Sequence, residues 1–537
     1  MKLNENTKLN RTLLAVLAGA QFAFTAFADD GAATNSVTAA PVEVPAYSAD
    51  AATANPAEAA EITALKKEVQ ALEQKVSALE QQHAPEQPSA QVQDLDQKVR
   101  ILERQRELDQ EAAASAAKAQ PRLTVGANGA TFSSADTNFS ISLHGWVQVD
   151  SRTFGNDDHV QGNDSILLRR ARPILSGTLY RDFDFLFAPE FGNATPGAAS
   201  AATTPSIYDA YMNYHYSPAF QVQAGRFKPP VGLEYLQQDI YSSFNERSLA
   251  TDLIPGRDLG FELHGDVFGG VLSYAAGIFN GVGDNQRNTT DTSFQDDREF
   301  DGRLFVQPFK TSGIAALQNL GVGVGGSWGR SSITNTLDLP NTTGGTLPGF
   351  STDGQQQFFA YNPATGGVVA NGTHWRFSPQ GYYYYGPFGL LGEYVISDQG
   401  VENTVSLATA DLKNTAWEIS GGWVLTGEDA SYTGVTPRHP FDPGNGGWGA
   451  WQLVARYAEL NVDSAAFPVF SNPATSASAA QAWSLGLNWY LNRNIRVNAS
   501  YSRTTFTGGG TTTATTAPNA VSSHPEDVFF TRVQLAF

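Results

Sequence analysis

Cysteine is absent from all 537 residues, so neither a disulfide framework nor a thiolate metal site is available to this chain. Positive charge is scarce: 34 Lys and Arg face 53 Asp and Glu, for a formal net charge of −19, which argues against nucleic acid as a partner. The eight histidines are scattered, with no close pair and no H-E-x-x-H, so no metal-ligand set is expected. Long apolar runs are missing beyond the N-terminal stretch, and a spanning helix needs about 20 such residues. If the chain enters a membrane it does so as a closed β-barrel, the other structure that pairs every backbone polar group within lipid.

Two enzyme patterns overlap in GVGVGGSWG, a G-x-G-x-x-G at Gly321, Gly323 and Gly326 and a G-x-S-x-G at Gly325, Ser327 and Gly329. Both need a helix to open directly after the glycines. The next residues are RSSITNTLDLP, so the run reads as a Gly-rich strand and neither catalytic residues nor a cofactor are expected.

What is present begins with an export signal. Lys2, Lys8 and Arg11 precede TLLAVLAGAQFAFTAFA, which ends in Ala26-Phe27-Ala28, the pattern of a secretory peptide over residues 1–28. Residues 29–60, rich in Ala, Thr, Pro and acids, read as a flexible linker. Residues 61–120 carry a seam of Ile62, Leu65, Val69, Leu72, Val76 and Leu79, then Val92, Leu95, Val99 and Leu102, broken by Pro85 and Pro88. Spacings alternating three and four predict a short coiled coil.

From residue 121 to the end the period changes to two. In NFSISLHGWVQVD, Phe139, Ile141, Leu143, Val147 and Val149 share one face, while Ser140, Ser142, His144, Gln148 and Asp150 share the other. FDFLFAPEFG sets Phe183, Phe185 and Phe187 opposite Asp184 and Glu190. The hairpin AWSLGLNWYLNRNIRVNASYS puts Trp483, Leu485, Leu487, Trp489 and Leu491 on one face. Such alternation suits a soluble sandwich or a membrane barrel equally. Short turns such as Tyr180 to Phe183 alternate with long polar loops such as Gly281 to Glu299, and the chain ends in DVFFTRVQLAF. That asymmetry favours an all-β transmembrane barrel, with Trp489, Tyr490 and Tyr501 in its interfacial girdles.

One stretch stands out. ILLRRARPILSG, Ile166 to Gly177, holds three arginines in an apolar run. On a regular strand Arg170 and Arg172 share a face that Leu167, Ala171, Leu175 and Leu179 do not, and Arg169 falls on the apolar side. Acids available as partners are Asp184, Glu190, Asp252 and Asp258, while Arg456, Arg496 and Arg532 sit singly and read as structural.

The blocks ILLRRARPILSG, AYMNYHY, QVQAGRFKPPVGLEYL, NERSLATDLIPGRDLGFELHG, RLFVQPF, HWRFSPQGYYYYGPFGLLGEY, TGE at Thr426 to Glu428, GGWGAWQLVARYAEL, GLNWYLNRNIRV and RVQLAF resemble, in this order, the phosphate-selective porins O and P of Gram-negative outer membranes. The resemblance runs from Phe139 to Phe537. It implies a homotrimer of barrels with about 16 antiparallel strands in outer-membrane lipid, and passive passage of small anions, phosphate among them. It also implies a constriction of strand arginines, Arg169, Arg170 and Arg172, and an inserted loop from Lys228 through Arg257 that adds Lys228, Arg247 and Arg257. Against the lysine-rich pore mouths of that family, residues 121–537 hold three lysines, 20 arginines and 36 acids, a net charge of −13. Anion preference therefore has to come from charge local to the narrowing. Two other readings stay open: a structural protein whose coiled coil contacts the cell wall, and a barrel enzyme built on a wall serine.

Overall fold

The computed structural model describes residues 56–82, 90–155, 164–192, 205–286, 297–331, 347, 349–362, 367–509 and 524–537. It contains two units, residues 1–121 and 122–537. The expected signal peptide and most of the expected linker lie outside the described residues, as does the proline break.

In the first unit, helix α1 (Pro56–Gln82) starts inside the stretch read as linker, and α2 (Ala90–Ala119) comes next. Val69, Leu72, Val76 and Leu79 are half-buried, as are Val92, Leu95, Val99 and Leu102, while Leu65 and Ile101 are exposed. Exposed ion pairs flank the second helix, Lys98 with Asp94 and Arg100 with Asp96.

The second unit is a closed sheet. A hairpin of β1 (Arg122–Gly126) and β2 (Gly129–Ser133) leads into β3 (Ser140–Phe154), β4 (Ser165–Leu179), β5 (Phe183–Glu190), β6 (Ser206–Ser217), β7 (Phe220–Phe227), β8 (Asp258–Val267), β9 (Leu272–Phe279), β10 (Glu299–Val306) and β11 (Leu320–Ser331). A two-stranded ribbon of β12 (Phe350–Ser351) and β13 (Gln357–Phe359) stands apart. The wall resumes with β14 (Val368–Tyr385), β15 (Phe388–Asn403), β16 (Thr409–Val424), β17 (Ala450–Asn461), β18 (Ala477–Tyr490), β19 (Ile495–Gly508) and β20 (Glu526–Ala536). Each wall strand pairs antiparallel with the next, and β20 pairs back onto β3 from Val528↔Phe154 to Ala536↔Trp146. Sixteen strands thus close on themselves, and β2 extends the seam beside the start of β3.

Burial along β3 decides between sandwich and membrane barrel. Ile141, Leu143, Val147 and Val149 are 46, 51, 36 and 40% exposed, whereas Gln148, Asp150 and Arg152 are 0, 0 and 1% exposed. Apolar outside and polar inside is the pattern of a barrel set in lipid. It recurs on β18, where Trp483 and Leu485 are exposed and Ser484 and Asn488 are buried.

Three expected orientations differ. Leu491, at the β18–β19 turn, is buried at 5% instead of facing out with Leu487. Tyr490 points inward to Gln452 Oε1 at 2.9 Å, because neighbours on a strand face opposite ways, while Trp489 stacks outside on Trp451. On β4 the pairing slips, Gln148 facing Arg170 but Val149 facing Leu168. This bulge at Arg169 moves Leu167 to the inner side, and Ile166 and Leu168 are the exposed residues there.

Candidate functional site

Residues 228–257, between β7 and β8, leave the wall and run through its interior. Their hydrogen bonds span the barrel: Gln380 Nε2 to Val231 O at 2.7 Å, Arg496 Nη1 to Ser242 O at 2.8 Å, Asn488 Nδ2 to Ser243 O at 3.1 Å and Gln534 Nε2 to Ile240 O at 3.2 Å. Leu249, Leu253 and Ile254 pack into a buried cluster with Phe350, Phe358 and Phe359 of the β12–β13 ribbon, which fixes the far part of the segment by apolar burial. The segment joining β16 and β17 touches it as well, through Tyr432 Oη on Leu233 O and Gln237 Nε2 on Tyr432 O, both at 2.6 Å.

The glycine run with two enzyme motifs forms β11. Its role is steric: a Cβ on Gly325 would collide with the Val231 carbonyl oxygen, so the missing side chain makes room for the inserted segment. Ser327 hydrogen bonds Arg376 within the wall.

The β4 bulge is what brings the third arginine inward. Two residues on a bulged strand oppose one on its partner, so Arg169 and Arg170 both reach the interior. Arg169 holds Glu246 through Nε at 2.6 Å and Nη2 at 2.9 Å. Arg170 reaches Asp239 at 3.3 Å and Gln148 Oε1 at 2.8 Å. Arg172 joins Glu190 at 2.7 Å and Asp239 at 2.9 Å. From the loop, Arg247 also binds Asp239, at 2.7 Å, and Arg257 binds Asp209 at 2.8 Å. Lys228 donates to the carbonyls of Tyr235 at 2.5 Å and Gln237 at 2.9 Å. Arg152 and Arg532 complete the group on Glu246 and Asp150.

Eight cations (Arg152, Arg169, Arg170, Arg172, Lys228, Arg247, Arg257 and Arg532) therefore meet five carboxylates, Asp150, Glu190, Asp209, Asp239 and Glu246. Burial alone would raise the Asp239 carboxyl, but Arg170, Arg247 and Arg172 hold it well below the usual carboxylate range. Burial likewise opposes ionisation of Glu246, and Arg169 and Arg152 overcome it. Both acids are charged, and with Lys228 protonated the network carries a formal excess of three positive charges.

A cavity of about 620 Å³ opens beside this network, lined by Arg172, Lys228, Arg257, Asp209, Asp239, Glu262 and His144, and by Asn128, Arg493 and Phe537 at the short-turn end. Of the six cations expected at a constriction, Arg172, Lys228 and Arg257 line it; Arg169, Arg170 and Arg247 lie off it, Arg170 and Arg247 sharing Asp239 with Arg172, and Arg169 sharing Glu246 with Arg152. Tyr208 carries both Arg172 and Arg257 over its ring. Glu190 is a partner as expected, but Asp184 pairs with His215, and Asp252 and Asp258 hold backbone N–H groups. Sequence reading missed Asp239 and Glu246, although both lie inside the segment it singled out. Arg456 and Arg532 are each tied to carboxylates, Arg456 to Glu234 and Asp353.

The family model described as phosphate-selective porin O and P matches residues 141–537. The chain belongs to this family. Porin O of Pseudomonas aeruginosa is 25% identical over 388 residues, 70% of this chain and 84% of that protein. Among solved structures, in-vitro folded OmpT of Vibrio cholerae is 12% identical with a TM-score of 0.45, over 74% of this chain and 98% of that one. The anion-selective porin from Comamonas acidovorans is 12% identical with a TM-score of 0.43, over 74% and 100%. As a porin O and P family member this barrel is an outer-membrane channel of a Gram-negative bacterium and not an enzyme. The short turns, with Phe537, mark its periplasmic end.

Proposed function

We propose that this porin passes small solutes by diffusion with a preference for anions, phosphate among them. The observation that carries the reading is the local excess of cations: eight against five carboxylates at the inserted loop, within a barrel region of net charge −13. Counting Glu262, which lines the cavity outside the network, the cations stay in excess. Guanidinium offers a fixed fork of donors that replaces part of an oxyanion's hydration, which a cation cannot use. One charge at about 4 Å is worth roughly 1 kcal/mol in bulk water and several-fold more in a confined site.

The test is the reversal potential under a KCl gradient, at low salt because the Debye length is already about 10 Å at 0.1 M. Wild type should be anion-selective and lose that preference in Arg170→Ala/Arg172→Ala, which leaves Asp239 to Arg247 and Glu190 to the N–H groups of Ala171 and Gly192. A cation-selective wild type sinks the proposal. Block of the chloride current by added phosphate, at concentrations where sulfate does little, would extend it to phosphate.

The working unit on this reading is a trimer held by barrel contacts, with residues 61–120 assisting assembly or reaching the cell wall outside the pore. The half-buried seam of Val69, Leu72, Val76 and Leu79 supports self-association. Deleting residues 56–119 should leave heat-resistant oligomers with unchanged single-channel conductance.

A further inference from the structure

Away from the arginine network, Glu234, Glu393 and Glu418 converge where the inserted loop meets the wall. One ligand atom from each lies within 4.8 Å of the others, and the residues are 7, 4 and 2% exposed. Glu234 sits on a one-turn helix, Leu233–Leu236, and Glu393 and Glu418 face each other in register on β15 and β16.

Three carboxylates at this spacing repel unless positive charge or protons lie among them. The described arginine in ion-pair contact with the trio is Arg456, at 3.2 Å from Glu234, and it is shared with Asp353 at 2.8 Å. Glu393 accepts from the Leu233 and Glu234 N–H groups at 2.8 and 3.2 Å, and Glu234 from Ser248 Oγ at 2.6 Å. Glu418 is different. Ser420, on the same face of its strand, lies within reach of it, yet neither Glu418 carboxylate oxygen makes a hydrogen bond of normal geometry. A fully buried carboxylate with two unused oxygens is costly unless something binds it.

We propose that Glu234, Glu393 and Glu418 hold a divalent cation, Ca²⁺ in preference to Mg²⁺, that pins the inserted loop to the barrel wall. An all-oxygen donor set selects a hard cation. Ca²⁺ accepts six to eight oxygens at about 2.3–2.6 Å in irregular geometry with carboxylates binding through one or both oxygens, whereas Mg²⁺ demands a near-ideal octahedron and keeps its waters. Three carboxylates from three separate elements fit the first description. A cavity of about 40 Å³ lined by Glu234 and Ser420, though not by Glu393 or Glu418, lies beside the trio and has room for a water by the usual measure of about 10–15 Å³. The cation would bridge the loop to β15 and β16 and complement Arg456, which is shared between Glu234 and Asp353.

The intact porin, purified in detergent and stripped with EDTA, is titrated with CaCl₂ by isothermal calorimetry, and crystals grown with calcium are read for anomalous density. The expected result is one saturable site per chain, an anomalous peak between the three carboxylates, and a calcium-dependent rise in the temperature at which native migration is lost. Glu418→Gln should weaken binding at least tenfold and abolish that rise. Absence of a saturable site in wild type overturns the proposal, as does full binding by folded Glu418→Gln, which would place calcium on the surface. A trio held by shared protons would take up no calcium near pH 7, and that result also overturns it. The wild-type titration and density decide the matter even where the variant fails to fold.

Discussion

Arg172 on the barrel wall and Asp239 on the inserted loop meet at 2.9 Å, both almost fully buried. Asp239 is also the partner of Arg170 and Arg247, so one carboxylate joins wall to loop and moderates three guanidiniums. Asp239→Asn removes one negative charge and leaves Arg172 to Glu190, Arg170 to Gln148 and Arg247 to the carbonyls of Glu234 and Gln237. Anion preference should rise, read as a larger reversal potential under a KCl gradient at low salt. Loop anchoring should weaken as well, since losing one member of a buried pair typically costs about 3–5 kcal/mol. An unchanged selectivity would show that ions pass elsewhere in the lumen.

Lys228 gives the channel a pH dependence. Burial, then the nearby charges of Arg247 and Arg257, push its ammonium well below the ordinary lysine value, while Asp239 and Asp209 act in the other direction. The carbonyls of Tyr235 and Gln237 favour the charged form, but one positive charge is still lost at lower pH than at an exposed lysine. Anion preference should therefore decline as pH rises toward, and before it reaches, the range near 10.4 where free lysines titrate. Lys228→Met should begin with a lower preference and decline less over the same range. The measurement is reversal potential at fixed KCl gradient across that range.

Alternation made the wall legible. Phe139 to Val149, Phe183 to Phe187 and Trp483 to Leu487 all face the way a period of two assigns them, because each strand touches lipid on one side and polar lumen on the other. The inserted segment also begins and ends at Lys228 and Arg257, between β7 and β8. What periodicity could not yield was the bulge at Arg169, since one extra residue inverts the parity of everything before it. Nor could spacing reveal Asp239 or Glu246, whose arginine partners on β3 and β4 lie 67 to 94 residues away. Gly325 was legible as a strand glycine, but its reason, the approach of Val231, is a long-range contact.

A second buried pair ties together the two strands that close the barrel. Arg532 on β20 holds Asp150 on β3 through Nε at 2.6 Å and Nη2 at 2.7 Å, and the two residues are directly opposed in register. Asp150→Asn leaves Arg532 with Glu246 at 3.8 Å, so the loss should fall at the lower end of the range of about 3–5 kcal/mol. Heat-modifiable migration and urea unfolding in detergent should both shift to milder conditions. Replacing both partners, Asp150→Asn with Arg532→Gln, should recover much of the loss, because an uncompensated buried charge is the larger penalty.

Gly325 tests whether the wall sets the loop's position. Valine suits a β-strand by itself, so Gly325→Val should leave the barrel closed. Its side chain would occupy the place of the Val231 carbonyl oxygen and force residues 229–233 away from β11, breaking the bond from Gln380 Nε2 to Val231 O. Overpacking of this kind costs about 1–3 kcal/mol, and here the loop is the part able to yield. Glu234 comes directly after the displaced residues, so its contact with Arg456 at 3.2 Å should loosen with them. Single-channel conductance should change and become noisier while oligomers stay heat-resistant, with Gly325→Ala intermediate. Wild-type conductance in Gly325→Val would mean that the inserted segment does not bound the conducting path.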